Sequence, residues 1–81
     1  MQSLEFTLNS EFVELNQLLK LTGLCDSGGM GKTIVANGDV QVDGKVELRK
    51  TCKIRAGQVV RLGDVEIRVL ADTPIAPETL V

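Results

Sequence analysis

The sequence predicts an α+β domain: a leading strand, two helices, then a small, mostly antiparallel set of short strands. Three observations carry this. Leu4, Phe6 and Leu8 alternate with polar residues near the start, the period-two mark of a half-buried strand. Apolar residues then recur at helical spacing in two blocks, Phe12, Leu15, Leu18 and Leu19, then Met30, Ile34 and Val35. After Gly38 the period returns to two.

Each element has its own punctuation. Asn9 and Ser10 are good helix N-caps. Glu11 and Glu14 fall where a first turn favours acidic side chains. With Gly23 as a stop, these predict a first helix of about three turns. Asp26 and Ser27 offer a second N-cap, and Asn37-Gly38 ends the second helix. Gly28, Gly29 and Gly31 oppose that helix by about 1 kcal/mol each relative to alanine. They therefore require a packing or contact reason, unless the helix is short. Asp43-Gly44 between Val40, Val42 and Val46 is a hairpin signal. Cys52 and Ile54, then Val59, Val60 and Leu62, then Val65, Ile67 and Val69 supply further strands, with turns at Ala56-Gly57 and Gly63-Asp64. Residues 1–71 are expected to form one domain. The segment 72–81, with Pro74 and Pro77, is expected to be a flexible tail.

Composition narrows the chemistry. A chain of 81 residues buries only a small core and leaves little room for an elaborate active site. Phe6 and Phe12 are the only aromatics, so the core must be aliphatic and no aromatic platform for stacking bases is present. Histidine is absent, which removes the commonest general base and metal ligand. Cys25 and Cys52 are too few for a usual structural zinc site and are read as reduced packing residues. No enzyme activity, cofactor or metal is expected. No charged and apolar opening resembles a secretory signal, and no apolar run nears the ~20 residues of a membrane span. A cytoplasmic protein without a membrane partner is expected.

The net charge of −2 conceals an uneven distribution. Residues 32–61 hold seven basic residues against three acidic ones, and the flanks on each side hold one against four. A basic middle between acidic ends is a signal of an anionic partner.

Gly28-Gly29-Met30-Gly31-Lys32-Thr33 resembles the end of a phosphate-binding loop. The full pattern needs glycine at position 26, and a buried strand before the loop. Asp26 and a helical Leu15–Leu24 stand there instead, which argues against nucleotide hydrolysis. The same glycines could still offer backbone N–H groups to a phosphate of any origin.

A larger constellation spans the chain. Leu15, Leu18-Leu19-Lys20, Gly23, Ser27, Lys32, Ile34-Val35, Gly38, Val40, Val42-Asp43-Gly44, Lys53-Ile54 and Gly57 keep a recognisable order and spacing. From about Phe12 to Leu62 they resemble the RNA-binding domain named after ribosomal small-subunit protein four, also called the αL motif. Ser27-Gly28-Gly29, Lys32 and the run Val46 to Ile54 resemble, more narrowly, the small stand-alone bacterial YbcJ-like proteins, over roughly residues 3–70. The wider family carries basic or polar residues at the start of the second helix and alanine further on, where this chain has Gly28, Gly29 and Gly31.

The resemblance implies RNA binding through the two helices and the following hairpin, with contacts carried onto Ser27, Lys32, Lys45, Arg49, Lys50 and Lys53. Arg55 joins them because Lys45, Arg49, Lys50, Lys53 and Arg55 cluster around one predicted hairpin. RNA helices are read largely by shape and backbone, which basic residues serve without aromatics. Ribosomal or transfer RNA is the expected partner. The bland alternatives are that Ser27 only caps a helix and that the basic residues only guard a strand edge. The functional alternative is a protein-interaction adaptor using the same face for an acidic partner. Glu47 is a candidate to pair with Arg49 or Lys45.

Overall fold

A computed structural model describes residues 2–71. The order is β1 (Gln2–Leu8), β2 (Val13–Glu14), α1 (Leu15–Leu21), α2 (Gly28–Ala36), β3 (Val40–Val42), β4 (Lys45–Val46), β5 (Lys53–Ile54), β6 (Val59–Leu62) and β7 (Val65–Ala71). Five strands form a sheet in the order β1-β7-β6-β3-β4, and β2 with β5 forms a separate two-stranded ladder. The predicted α+β fold is present, and the pairing is mostly antiparallel. The exception is β1, which lies parallel to β7 in the register Leu4 to Ile67 and Phe6 to Val69.

Leu15, Leu18, Leu19 and Val35 from the helices meet Val40, Ile54 and Val60 from the strands in one cluster, which continues to Ile67, Val69 and Leu8. The buried cluster is aliphatic apart from Cys25, with Phe6 packed against it only partly buried, in line with the composition. The expected tail, 72–81, lies outside the described residues. No helix among the described residues is long and apolar enough to cross a membrane.

Most turn signals act as read. Both helices end in the same way: Gly23 and Gly38 each take φ near +82°. Gly23 N–H donates to Lys20 and Leu24 N–H to Leu19, while Gly38 N–H donates to Val35. These are the closing bonds of a left-handed glycine stop. Asp43 (φ +52°) and Gly44 (φ +87°) form the hairpin corner, with Val42 opposite Lys45. The Asp43 carboxylate accepts from Val59 N–H at 3.0 Å and Gln58 Nε2 at 3.2 Å, tying the corner to β6. Those bonds hold its carboxyl below the usual range.

The first helix departs from expectation. It starts at Leu15 and has seven residues. Phe12 lies before it, and Val13 pairs with Ile54 in the small ladder. The Ser10 hydroxyl donates to Phe12 C=O instead of capping a helix. Glu14 is the N-cap residue and its side chain makes no capping bond. The cap comes from elsewhere: Leu15 N–H donates to Cys52 C=O at 2.9 Å and Asn16 N–H to Lys50 C=O at 3.1 Å. Helix N-termini need acceptors for their free N–H groups, and here a loop thirty-odd residues away in the sequence supplies them.

The second helix runs its full nine residues despite the glycines, with the Ser27 hydroxyl accepting from Met30 N–H at 3.1 Å. The reason for Gly31 is contact. A Cβ there would lie 2.6 Å from the Asn16 carbonyl oxygen and 3.2 Å from Asn16 Cα. The helices cross backbone to backbone at this point.

Candidate functional site

The crossing of α1 and α2 and the capping loop together build a groove. The loop from Leu48 to Lys53 is tethered to the start of α1 by its own carbonyls. α2 brings Lys32 to the same place. The result is an open groove of about 720 Å³ lined by Lys32, Leu48, Arg49, Lys50, Thr51, Cys52 and Lys53. Four cations from two distant segments thus face one space.

Arg49 is held within it. Its Nε donates to Glu47 Oε2 at 2.9 Å and its Nη2 to Glu47 Oε1 at 3.1 Å. The Arg49 backbone N–H donates to the same carboxylate at 2.9 Å, and Nη2 reaches Cys52 Sγ at 3.7 Å. The Arg49 side chain is nevertheless 78% exposed. An exposed pair of this kind adds little stability, so its main consequence is orientation. The fork-to-carboxylate geometry sets the guanidinium plane.

Hydrogen bonds from Arg49 lower the Glu47 pKa from 4.5 to about 2, and the carboxylate in turn raises that of Arg49. A depressed carboxylate contributes stability above its unfolded value and loses it as pH falls through the folded one. The Glu47 contribution is therefore complete above pH 4.5 and fades towards about pH 2. Denaturant titrations from about pH 5 to about pH 2 are expected to show stability falling. In Glu47→Gln that fall should be shallower, leaving the part due to Asp43. An unchanged acid slope would show that the pair does not act on folding. Burial pushes the Cys52 thiol up, so it stays protonated and acts as apolar lining.

The predicted residues divide by position. Lys32, Arg49, Lys50 and Lys53 line the groove. Ser27 caps α2, with its hydroxyl engaged by Met30 N–H. Lys45 is on β4, beside the hairpin corner, and does not line the groove. Arg55 lies just past β5, its Cζ 5.8 Å from the Phe12 ring, with Lys53 Nζ 4.9 Å from the same ring. Distances within about 6 Å are cation–π range, so Phe12 orders two basic side chains instead of filling a helix core. Arg61 faces Glu66 across β6 and β7 at 3.6 Å. The sequence reading missed Leu48 and Thr51 as lining residues. The available signal was an apolar residue isolated among charges, Glu47-Leu48-Arg49-Lys50.

Fold and groove together define a class: a small α+β module in which a helix pair and a following loop bring four cations to one groove. The chain belongs to the S4 domain family, whose model matches residues 6–70. It is 51% identical over 59 residues to YbcJ of Escherichia coli (strain K12), covering 73% of this chain and 84% of that protein. It is 32% identical over 56 residues to "Probable ribosome maturation protein RlbA" of Bacillus subtilis (strain 168), covering 69% and 79%. The solution structure of E. coli YbcJ, described as revealing an αL motif involved in RNA binding, matches with a TM-score of 0.63 and 44% identity, over 88% of this chain and 89% of that one.

Proposed function

We propose that the chain binds structured RNA, without catalysis, through the groove between α2 and the 48–53 loop. The observation that carries this is the convergence of Lys32 with Arg49, Lys50 and Lys53 on one space. Glu47, the carboxylate beside it, is already engaged by Arg49. Converging cations suit the phosphates of an RNA backbone, and such contacts supply a large share of the affinity of protein–nucleic acid complexes. The αL motif of YbcJ, described as involved in RNA binding, supports RNA as the anion; ribosomal or transfer RNA is the class proposed, and the ribosome-maturation name of the Bacillus relative favours the first. Ser27, Lys45 and Arg55 extend the basic surface around the groove. An RNA partner of this class fits a cytoplasmic protein.

Salt tests it. With four phosphates neutralised, log affinity should fall against log salt with a slope of about −3 to −4. Lys32→Ala should reduce that slope by about one. A slope near zero, or one that Lys32→Ala leaves unchanged, rules out this groove as the phosphate site.

A further inference from the structure

Phosphate binding leaves one side of the groove unexplained. Leu48 is 59% exposed and Val46 is 55% exposed. Both adjoin Gly38: a Cβ there would lie 3.6 Å from Leu48 Cδ2 and 4.0 Å from Val46 Cγ1. An apolar patch therefore borders a cationic groove, and the neutral Cys52 continues it inside.

Arg49 supplies the second half. Its bonds to Glu47 and Cys52 are made by N–H groups, which lie in the guanidinium plane, and the side chain is 78% exposed, so the group is oriented while most of its surface stays open. Unpaired RNA bases stack on aromatic rings or on arginine planes. The chain has two aromatic residues: Phe6 lies on β1, and Phe12 is engaged with Lys53 and Arg55. Neither lines the groove, so the fixed guanidinium is the flat surface available there.

We propose that the groove takes one unpaired nucleobase of an RNA strand, stacked on the Arg49 guanidinium and resting against Leu48, while the lysines hold the flanking phosphates. This rests on the RNA reading above and sharpens it, from backbone binding alone to recognition of an interrupted helix. The space of about 720 Å³ lies within the ~300–1,000 Å³ typical of small-ligand sites. The surrounding cations favour a base carried on a polyanion over a free aromatic molecule. An acidic peptide would satisfy the lysines but offers no planar face to Arg49.

The test compares two RNA hairpins with the same stem, one fully paired and one with a single unpaired adenine, each titrated with the full chain. The unpaired base is expected to raise affinity about tenfold, the lower part of the range for a stacked base. Leu48→Ser and Arg49→Lys should each bring the ratio of the two affinities close to unity, since lysine keeps the charge and loses the plane. Reading a ratio cancels any general loss of binding. Equal affinities for the native chain, or a ratio that survives both variants, overturn the base subsite while the RNA reading stands. Binding to neither hairpin overturns the RNA reading itself. Preference for an acidic amphipathic peptide over both RNAs assigns the groove to a protein and overturns the subsite.

Discussion

Reversing two charges in Arg49→Glu/Lys50→Glu is expected to weaken binding to structured RNA by about a thousandfold at low salt. A hydrogen bond to a charged group is worth about 1.5–3 kcal/mol. Removing two such bonds to phosphate and adding repulsion in their place amounts to about 4 kcal/mol, or roughly three decades of affinity. The fold should survive. Both side chains are exposed, and the part of Lys50 that caps α1 is its backbone carbonyl, which substitution leaves in place. Breaking the exposed Arg49–Glu47 pair should cost little stability. Circular dichroism of the variant should therefore match that of the native chain, while gel-shift affinity collapses. Lys45→Glu is the control for general charge. It lies outside the groove and should cost about tenfold at most. Equal effects of Lys45→Glu and the double variant would mean a diffuse basic surface, and the groove would lose its special standing.

Gly31→Ala should be strongly destabilising. The added Cβ would fall 2.6 Å from the Asn16 carbonyl oxygen, and the obstacle is backbone, which cannot swing aside. The two helices must separate. Overpacking of this kind costs typically about 1–3 kcal/mol and occasionally more, and the upper end is expected where backbone meets backbone. For a domain of this size that is a fall in melting temperature of about 12–24 °C. Gly29→Ala should do the opposite. Its Cβ would meet nothing closer than Ser27 Oγ at 3.9 Å, so the ordinary helix preference of about 1 kcal/mol for alanine applies. Thermal melts of the two variants should move in opposite directions. If Gly31→Ala melts with the native chain, the close crossing is not a constraint on the fold.

These two glycines show where sequence reasoning stops. Glycines in α2 were legible as a cost in need of a reason, and their likeness to a phosphate loop suggested one. The crossing with Asn16 accounts for Gly31, and it depends on a residue fifteen positions away. The start of α1 failed to show for the same kind of reason. Asn9, Ser10, Glu11 and Glu14 form a plausible local cap, but Cys52 and Lys50 provide the acceptors, and the ladder of Val13 with Ile54 claims the residues before the helix. A distant carbonyl leaves no local trace.

The basic residues divide along the same line. Their number and their concentration in residues 32–61 were plain; Glu47 had two candidate partners, Arg49 and Lys45, and the structure pairs it with Arg49. Which of them share a space was not, because Lys32 reaches Arg49, Lys50 and Lys53 only through the helix crossing, while Lys45 leaves on the hairpin.

Local signals therefore established the α+β class, the helix stops at Gly23 and Gly38, the Ser27 cap, the Asp43-Gly44 corner and the aliphatic core. Each depends on φ preferences, hydrogen bonds within a few residues, or a hydrophobic period, all written in consecutive positions. The parallel pairing of β1 with β7, the borrowed cap of α1, the need for Gly31 and the groove itself were decided by tertiary structure. Each requires two segments far apart in the chain to meet within a few ångströms, and that meeting depends on how the whole core packs.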